Sequence, residues 1–147
     1  MIYSPEEKQR MDAVYHAFHD YIAAHRHYDI LYSEKAGYLR VITGENCDEI
    51  FFRIKGLEDM LKMFVDDHLQ DEENRTNSNL RMDHDRVRTQ LIPIFSKLGP
   101  DADYALQVME QQIESQKRRS EQFRQERLEM IQKFEDMLAE LRESVTI

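Results

Sequence analysis

The sequence predicts an α+β fold, mostly helical, and three observations carry that expectation. Apolar residues recur at helical spacing before residue 25 and again after Gly56. Between these stretches, three short runs rich in Ile, Val, Phe and Tyr read as strands. From Asp101 to Val145 there is no Gly, no Pro and no β-branched run, so nothing stops a long C-terminal helix. The expected order is an N-terminal helix, a small three-stranded antiparallel meander, a helix, and a helical hairpin closed by the long helix. Residues 1–98 read as an α-β-β-β-α-α domain and residues 99–147 as the helix that completes its hairpin. The two form a single structural unit.

The first helix has a clear start. Ser4 can cap it, Pro5 occupies the first helical position, and Glu7 stands where a capping-box partner belongs. Met11, Val14, Phe18, Ile22 and His25 keep the helical repeat, so the helix should run from Pro5 to His25. Strands follow at Tyr28–Ser33, Gly37–Thr43 and Glu49–Lys55, with turns at Glu34–Gly37 and Gly44–Asn46. In the third run Ile50, Phe52 and Ile54 alternate with Glu49, Arg53 and Lys55, which favours a strand over a helix capped by Asn46.

After Gly56, one stripe holds Leu57, Met60, Leu61, Phe64, Val65, His68 and Leu69, and the polar run Gln70–Asn79 should end that helix. Ser78 or Asn79 can cap the next, in which Leu80, His84, Val87, Leu91, Ile94, Phe95 and Leu98 hold the period. Pro93 removes a donor and should bend it near Thr89. If the chain reverses at Gly99-Pro100, facing residues have numbers summing to roughly 199. Leu91 then meets Val108 or Met109, Val87 meets Ile113, and Asp83 and Asp85 approach Lys117–Arg119.

Length gives the sharper inference. At 1.5 Å per residue, Asn79–Leu98 spans about 30 Å and the last helix about 67 Å, an overhang of about 37 Å from near Glu121. That overhang carries Leu128, Met130, Ile131, Phe134, Met137, Leu138, Leu141 and Val145. The N-terminal helix, about 31 Å long, has the right length to cover it. The same patch of a second copy is the alternative.

Composition narrows function. The net charge is −9, which opposes phosphate-driven binding of nucleic acid. Cys47 is the sole cysteine, and no apolar run approaches a membrane span or a secretion leader. A reduced, cytoplasmic setting is therefore expected. Glycine-rich phosphate loops and paired Glu-x-x-His motifs are absent, and acidic neighbours Glu45, Asp48 and Glu49 would blunt Cys47 as a nucleophile. Neither an enzyme nor a cofactor is expected.

Two clusters remain. Asp12, His16, His19 and Asp20 share one helical face and form a weak metal-site candidate, more simply read as a solvated surface. His25 and His27 suit a helix C-terminus, and His68 and His84 read as core-edge residues. Ten acids in residues 45–73 oppose Arg53, Lys55 and Lys62, and Asp66, Asp67, Asp71, Glu72 and Glu73 gather at one helix end against its dipole.

The expected function is a non-catalytic acidic interaction protein that binds and blocks or regulates a protein partner. Its partner-binding residues would be Asp66, Asp67, Asp71, Glu72 and Glu73 together with Phe134, Met137 and Leu141. The most specific form is an inhibitor of a nucleic-acid-processing enzyme, of the anti-defence or anti-CRISPR type made by phages and mobile elements. It would occupy a basic cleft by imitating a phosphate backbone, touching neither nucleic acid nor membrane. The competing readings are a metal- or ligand-binding helical protein using His16 and His19, and a structural homodimer subunit joined through the C-terminal helix.

Overall fold

A computed structural model describes residues 2–25, 28–78 and 81–145. Its elements are α1 (Pro5–Ala17), α2 (His19–Ala23), β1 (Tyr28–Ser33), β2 (Gly37–Thr43) and β3 (Glu49–Arg53), followed by α3 (Leu57–Thr76), α4 (His84–Phe95), a 3-10 segment (Ser96–Asp101) and α5 (Ala102–Val145). This is the mostly helical α+β layout with a three-stranded antiparallel sheet and a long last helix.

The Ser4 hydroxyl accepts from the Glu7 N–H at 3.1 Å, with Pro5 opening the helix. The single helix expected over Pro5–His25 is in fact broken at Phe18 (φ −99°, ψ 11°). The break lies at the centre of the core. The Phe18 ring is fully buried, stacks on Phe64 at 4.1 Å and meets Phe95 edge-on at 5.5 Å. Beyond it, α2 turns against β1.

The strands pair in the order β1-β2-β3, with Ile30 opposite Arg40 and Val41 opposite Phe51. The Asn46-capped helix does not form; Cys47 takes a left-handed φ of 62° in the turn before β3. The Tyr3 hydroxyl ties two strand ends together by donating to the Ile54 carbonyl and accepting from the Tyr38 N–H. Ile30, Tyr38 and Ile54 enter the core. Ile50 and Phe52, expected to share the buried face of Ile54, are instead 54% and 48% exposed. β3 is a sheet edge whose backbone, among the described residues, lies close to β2 and to no helix.

α3 buries the whole expected stripe from Leu57 to Leu69. It ends at Thr76, within the polar run Gln70–Asn79 as expected, where Asn77 caps it in the left-handed region (φ 54°). Its last turns are held on the core side by Glu72, which is 3% exposed. α4 begins at His84 rather than near Ser78, because Asp83 supplies the cap by accepting from the Arg86 N–H at 3.2 Å. Asn79, Leu80 and His27 lie outside the described residues. Pro93 falls within the last turn of α4.

The hairpin register agrees with the sequence arithmetic. Arg88 pairs with Glu110 at 2.8 Å, and His84 is hydrogen-bonded to Gln116. Val87, Leu91, Val108, Met109 and Ile113 fill the seam. Asp83 and Asp85 do not meet Lys117–Arg119; Asp83 caps α4 and Asp85 pairs with Arg88 at 2.7 Å. The N-terminal helix does not cover the overhang either: α1 packs on α3, α4 and the 3-10 segment.

Candidate functional site

α5 is 44 residues long, about 66 Å at the helical rise. Its buried residues are Ala105, Val108, Met109, Ile113, Gln116 and Ser120. Beyond Ser120 every described residue is exposed. The projecting part holds Phe123, Leu128, Met130, Ile131, Phe134, Met137, Leu138, Leu141 and Val145, all among the large exposed hydrophobics. Phe134, Met137 and Leu141 are 61%, 58% and 60% exposed. Scattered apolar residues on a surface need no explanation, whereas a continuous exposed stripe of this length does. Covering such side chains stabilises by about 1.5 kcal/mol or more each.

The acidic end of α3 is less open than its composition suggests. Asp66 is exposed and accepts from Gln112 at 2.9 Å. Asp67 is drawn inward onto Arg40 of β2, at 2.5 Å, with its side chain only 11% exposed. Asp71 accepts from the Tyr21 hydroxyl at 2.6 Å and lies 3.1 Å from His25 Nε2. Glu72 is buried between Arg75 at 2.5 Å and Arg86 at 3.3 Å. The Arg75 guanidinium holds its carboxyl below the usual range. Glu73 is partly exposed. Of these five acids, Asp67 and Glu72 are thus withdrawn from any docking surface, against the sequence expectation.

The structure gathers a cleft that the sequence did not reveal. Tyr21, His25, Tyr28, Arg40, Asp67 and Asp71 line a space of about 400 Å³ between α2, α3 and the sheet. Tyr21 stacks on His68 at 4.0 Å, and Arg40 lies over the Tyr28 ring at 5.0 Å. Burial pushes the Asp67 carboxyl up to about 6 despite the Arg40 charge. It also raises the Tyr21 and Tyr28 hydroxyls and lowers His68, whose Nδ1 lies 2.7 Å from the Phe64 carbonyl oxygen. The one sequence signal for this cleft was Arg40, a cation on the strand face that Tyr38 and Ile42 share. Such a residue needs a buried partner.

The metal candidates are not brought together. Asp12 is taken by Lys8 at 2.9 Å and by the Tyr38 hydroxyl. His16 is exposed and packs its ring edge on Tyr15, and the break at Phe18 lies between it and Asp20. His19 and Asp20 are 3.7 Å apart on open surface. Among the described residues, no group of three or more His, Cys, Asp or Glu is placed to hold a metal ion, and no helix is long and apolar enough to cross a membrane. No protein-family model, curated protein or solved structure matches this chain.

Proposed function

We propose that this is a non-catalytic interaction protein whose working surface is the projecting part of α5. The observation that carries the reading is the unbroken exposure of Glu121–Val145, in a chain that buries its other helices with few apolar residues left over. An amphipathic helix presented clear of its own domain is suited to helical or groove recognition through anchors at i, i+3, i+4 and i+7. Phe134, Met137, Leu138 and Leu141 have that spacing. The body, with its paired acids and filled core, serves to hold the helix in place.

The more specific reading, an acidic inhibitor imitating a phosphate backbone, draws weaker support. Only Asp66, Asp71 and Glu73 of the five acids keep solvent-facing carboxylates, and Asp71 already serves Tyr21 and His25. The discriminating experiment is crosslinked capture with the wild-type chain and with a Phe134→Glu/Leu141→Glu variant. Loss of every partner in that variant, with the far-UV spectrum kept, is the expected result. Partners that survive it but vanish on Asp66→Lys/Glu73→Lys would overturn the α5 reading in favour of the acidic face.

A further inference from the structure

We infer that the projecting part of α5 pairs with the same segment of a second copy, as an antiparallel two-helix coiled coil in one register. The inference rests on the reading of α5 as the working surface and names its occupant. The apolar seam runs Met130, Phe134, Met137, Leu141, a 3,4 spacing that repeats every seven residues. A strict seven-residue repeat in a 3.6-residue helix drifts by about 20° per heptad and produces a left-handed supercoil with a like helix.

In that heptad Phe134 and Leu141 are at a, Met130 and Met137 at d, Ile131 and Leu138 at e, and Lys133 and Glu140 at g. Orientation follows from e and g. In a parallel pair e faces g of the other chain, which would set Ile131 against Glu126 and Leu138 against Lys133, apolar groups against charges. In an antiparallel pair e faces e and g faces g. Ile131 then meets Leu138 along one flank of the seam, and only charged residues meet along the other.

Register follows from the charges. When residues whose numbers sum to 271 share a layer, Phe134 packs on Met137, Met130 on Leu141, and Lys133 lies beside Glu140, each contact occurring twice by symmetry. A slip of one heptad toward the body sets Lys133 against Lys133 and Glu126 against Glu140. A slip the other way sets Glu140 against Glu140. Like charges at these flanks oppose pairing, so one register is selected. Neither Lys133 nor Glu140 has an ion-pair partner among the described residues.

The length of α5 fits as well. In this register Val145 of one chain lies opposite Glu126 of the other, more than a turn short of Ser120, the last α5 residue its own body covers. Over Glu126–Val145 the two segments overlap by about 29 Å, clear of the part of α5 that either body covers.

Sedimentation equilibrium over a concentration series tests the pairing, with charge variants to test its geometry. The wild-type chain should reach twice its 17.7 kDa mass. Lys133→Glu alone and Glu140→Lys alone each place like charges together twice and should weaken the dimer about tenfold. An equimolar mixture of the two variants should restore wild-type affinity, since every flank then joins opposite charges. Phe134→Glu should leave a single chain of unchanged body fold. A wild-type mass of one chain at all concentrations overturns self-pairing while leaving the α5 reading to the capture experiment. Dimers whose affinity neither charge variant changes, or that the mixture fails to rescue, overturn the antiparallel register. A mass above two chains overturns the two-helix form.

Discussion

Arg40 on the central strand donates through Nη2 to Asp67 on α3 at 2.5 Å, and this pair bridges the sheet to the helical body. Its carboxylate is almost enclosed, at 11% exposure. Burial costs a charge more than one cation returns unless the remaining lone pairs are also satisfied. Here Asp67 Oδ2 and Arg40 Nε are buried without a hydrogen-bond partner among the described residues. The carboxyl accordingly rises to about 6.

That rise makes Asp67 a source of pH dependence. A carboxyl whose folded pKa exceeds its unfolded value supports folding when protonated. Its contribution is complete below about pH 4 and is lost as pH rises through about 6. The span from 3.8 to about 6 corresponds to about 3 kcal/mol at most. Asp67→Asn removes this dependence. Urea unfolding of both proteins between pH 4 and 7.5 should show the variant gaining on wild type by up to that amount. The neighbouring His68, lowered by burial, acts in the opposite sense, and comparing the two proteins cancels it. A difference that moves toward wild type as pH rises would mean that the Arg40 attraction exceeds the burial cost.

The sequence was most readable where a single element carries its own pattern. The strand positions follow from β-branched and aromatic runs bounded by turn residues, and the α3 stripe follows from six apolar positions and His68 at helical spacing. The hairpin register needed only one reversal point, which Gly99 provides with a φ of 65°. Features that depend on distant partners were hidden. Arg40 and Asp67 are 27 residues apart, and no local pattern announces their meeting. Glu72 looked like surface acid because the arginine that encloses it from α4, Arg86, is brought there by the fold. The helix break at Phe18 carries no Gly or Pro, and its ring is fixed by Phe64 and Phe95 from two other helices.

Glu72 links the end of α3 to the start of α4. It accepts from Arg75 and Arg86 and from the Asp83 N–H at 3.4 Å. Glu72→Gln keeps the shape and removes the charge that both arginines serve. The arginines are about half exposed, so solvent screening limits the loss to about 1 kcal/mol. Because the carboxyl is held below its usual range, this stability is present at neutral pH and disappears as pH falls through that lowered value. Wild type and variant should therefore draw together in chemical unfolding as the pH is taken from neutral into the acid range. A difference that persists undiminished there would assign Glu72 a packing role.

Gly37 opens β2 with φ +75°, and a Cβ added there would lie 2.5 Å from the Tyr3 hydroxyl oxygen and 2.7 Å from its ring carbon. Gly37→Ala meets two costs: a left-handed backbone disfavoured for alanine, and displacement of the buried hydroxyl that joins Tyr38 to Ile54. Together these should destabilise by about 2–4 kcal/mol. Adding Tyr3→Phe to Gly37→Ala should cost less than the sum of the two single changes, since the hydroxyl that the alanine displaces is then absent. Strict additivity in the double-mutant cycle would show that the two positions do not share this contact.

The projecting part of α5 makes the clearest demand on stability. Its residues from Glu121 onward are exposed, so removing them takes no apolar area from the core. A chain ending after Gln122 should unfold in urea within about 0.5 kcal/mol of a full-length Phe134→Glu/Leu141→Glu reference, the range of ordinary surface changes. The reference matters, because any pairing through α5 would stabilise the wild-type chain by mass action and confuse the comparison. The truncated chain should also lose helical signal in proportion to the residues removed, while near-UV signals from the buried tyrosines and phenylalanines stay unchanged. A loss of 2 kcal/mol or more would mean that the far half of α5 folds back onto the body, contrary to the structure. The apolar stripe would then be a core element of the monomer, and neither a partner nor a second copy would be needed to cover it.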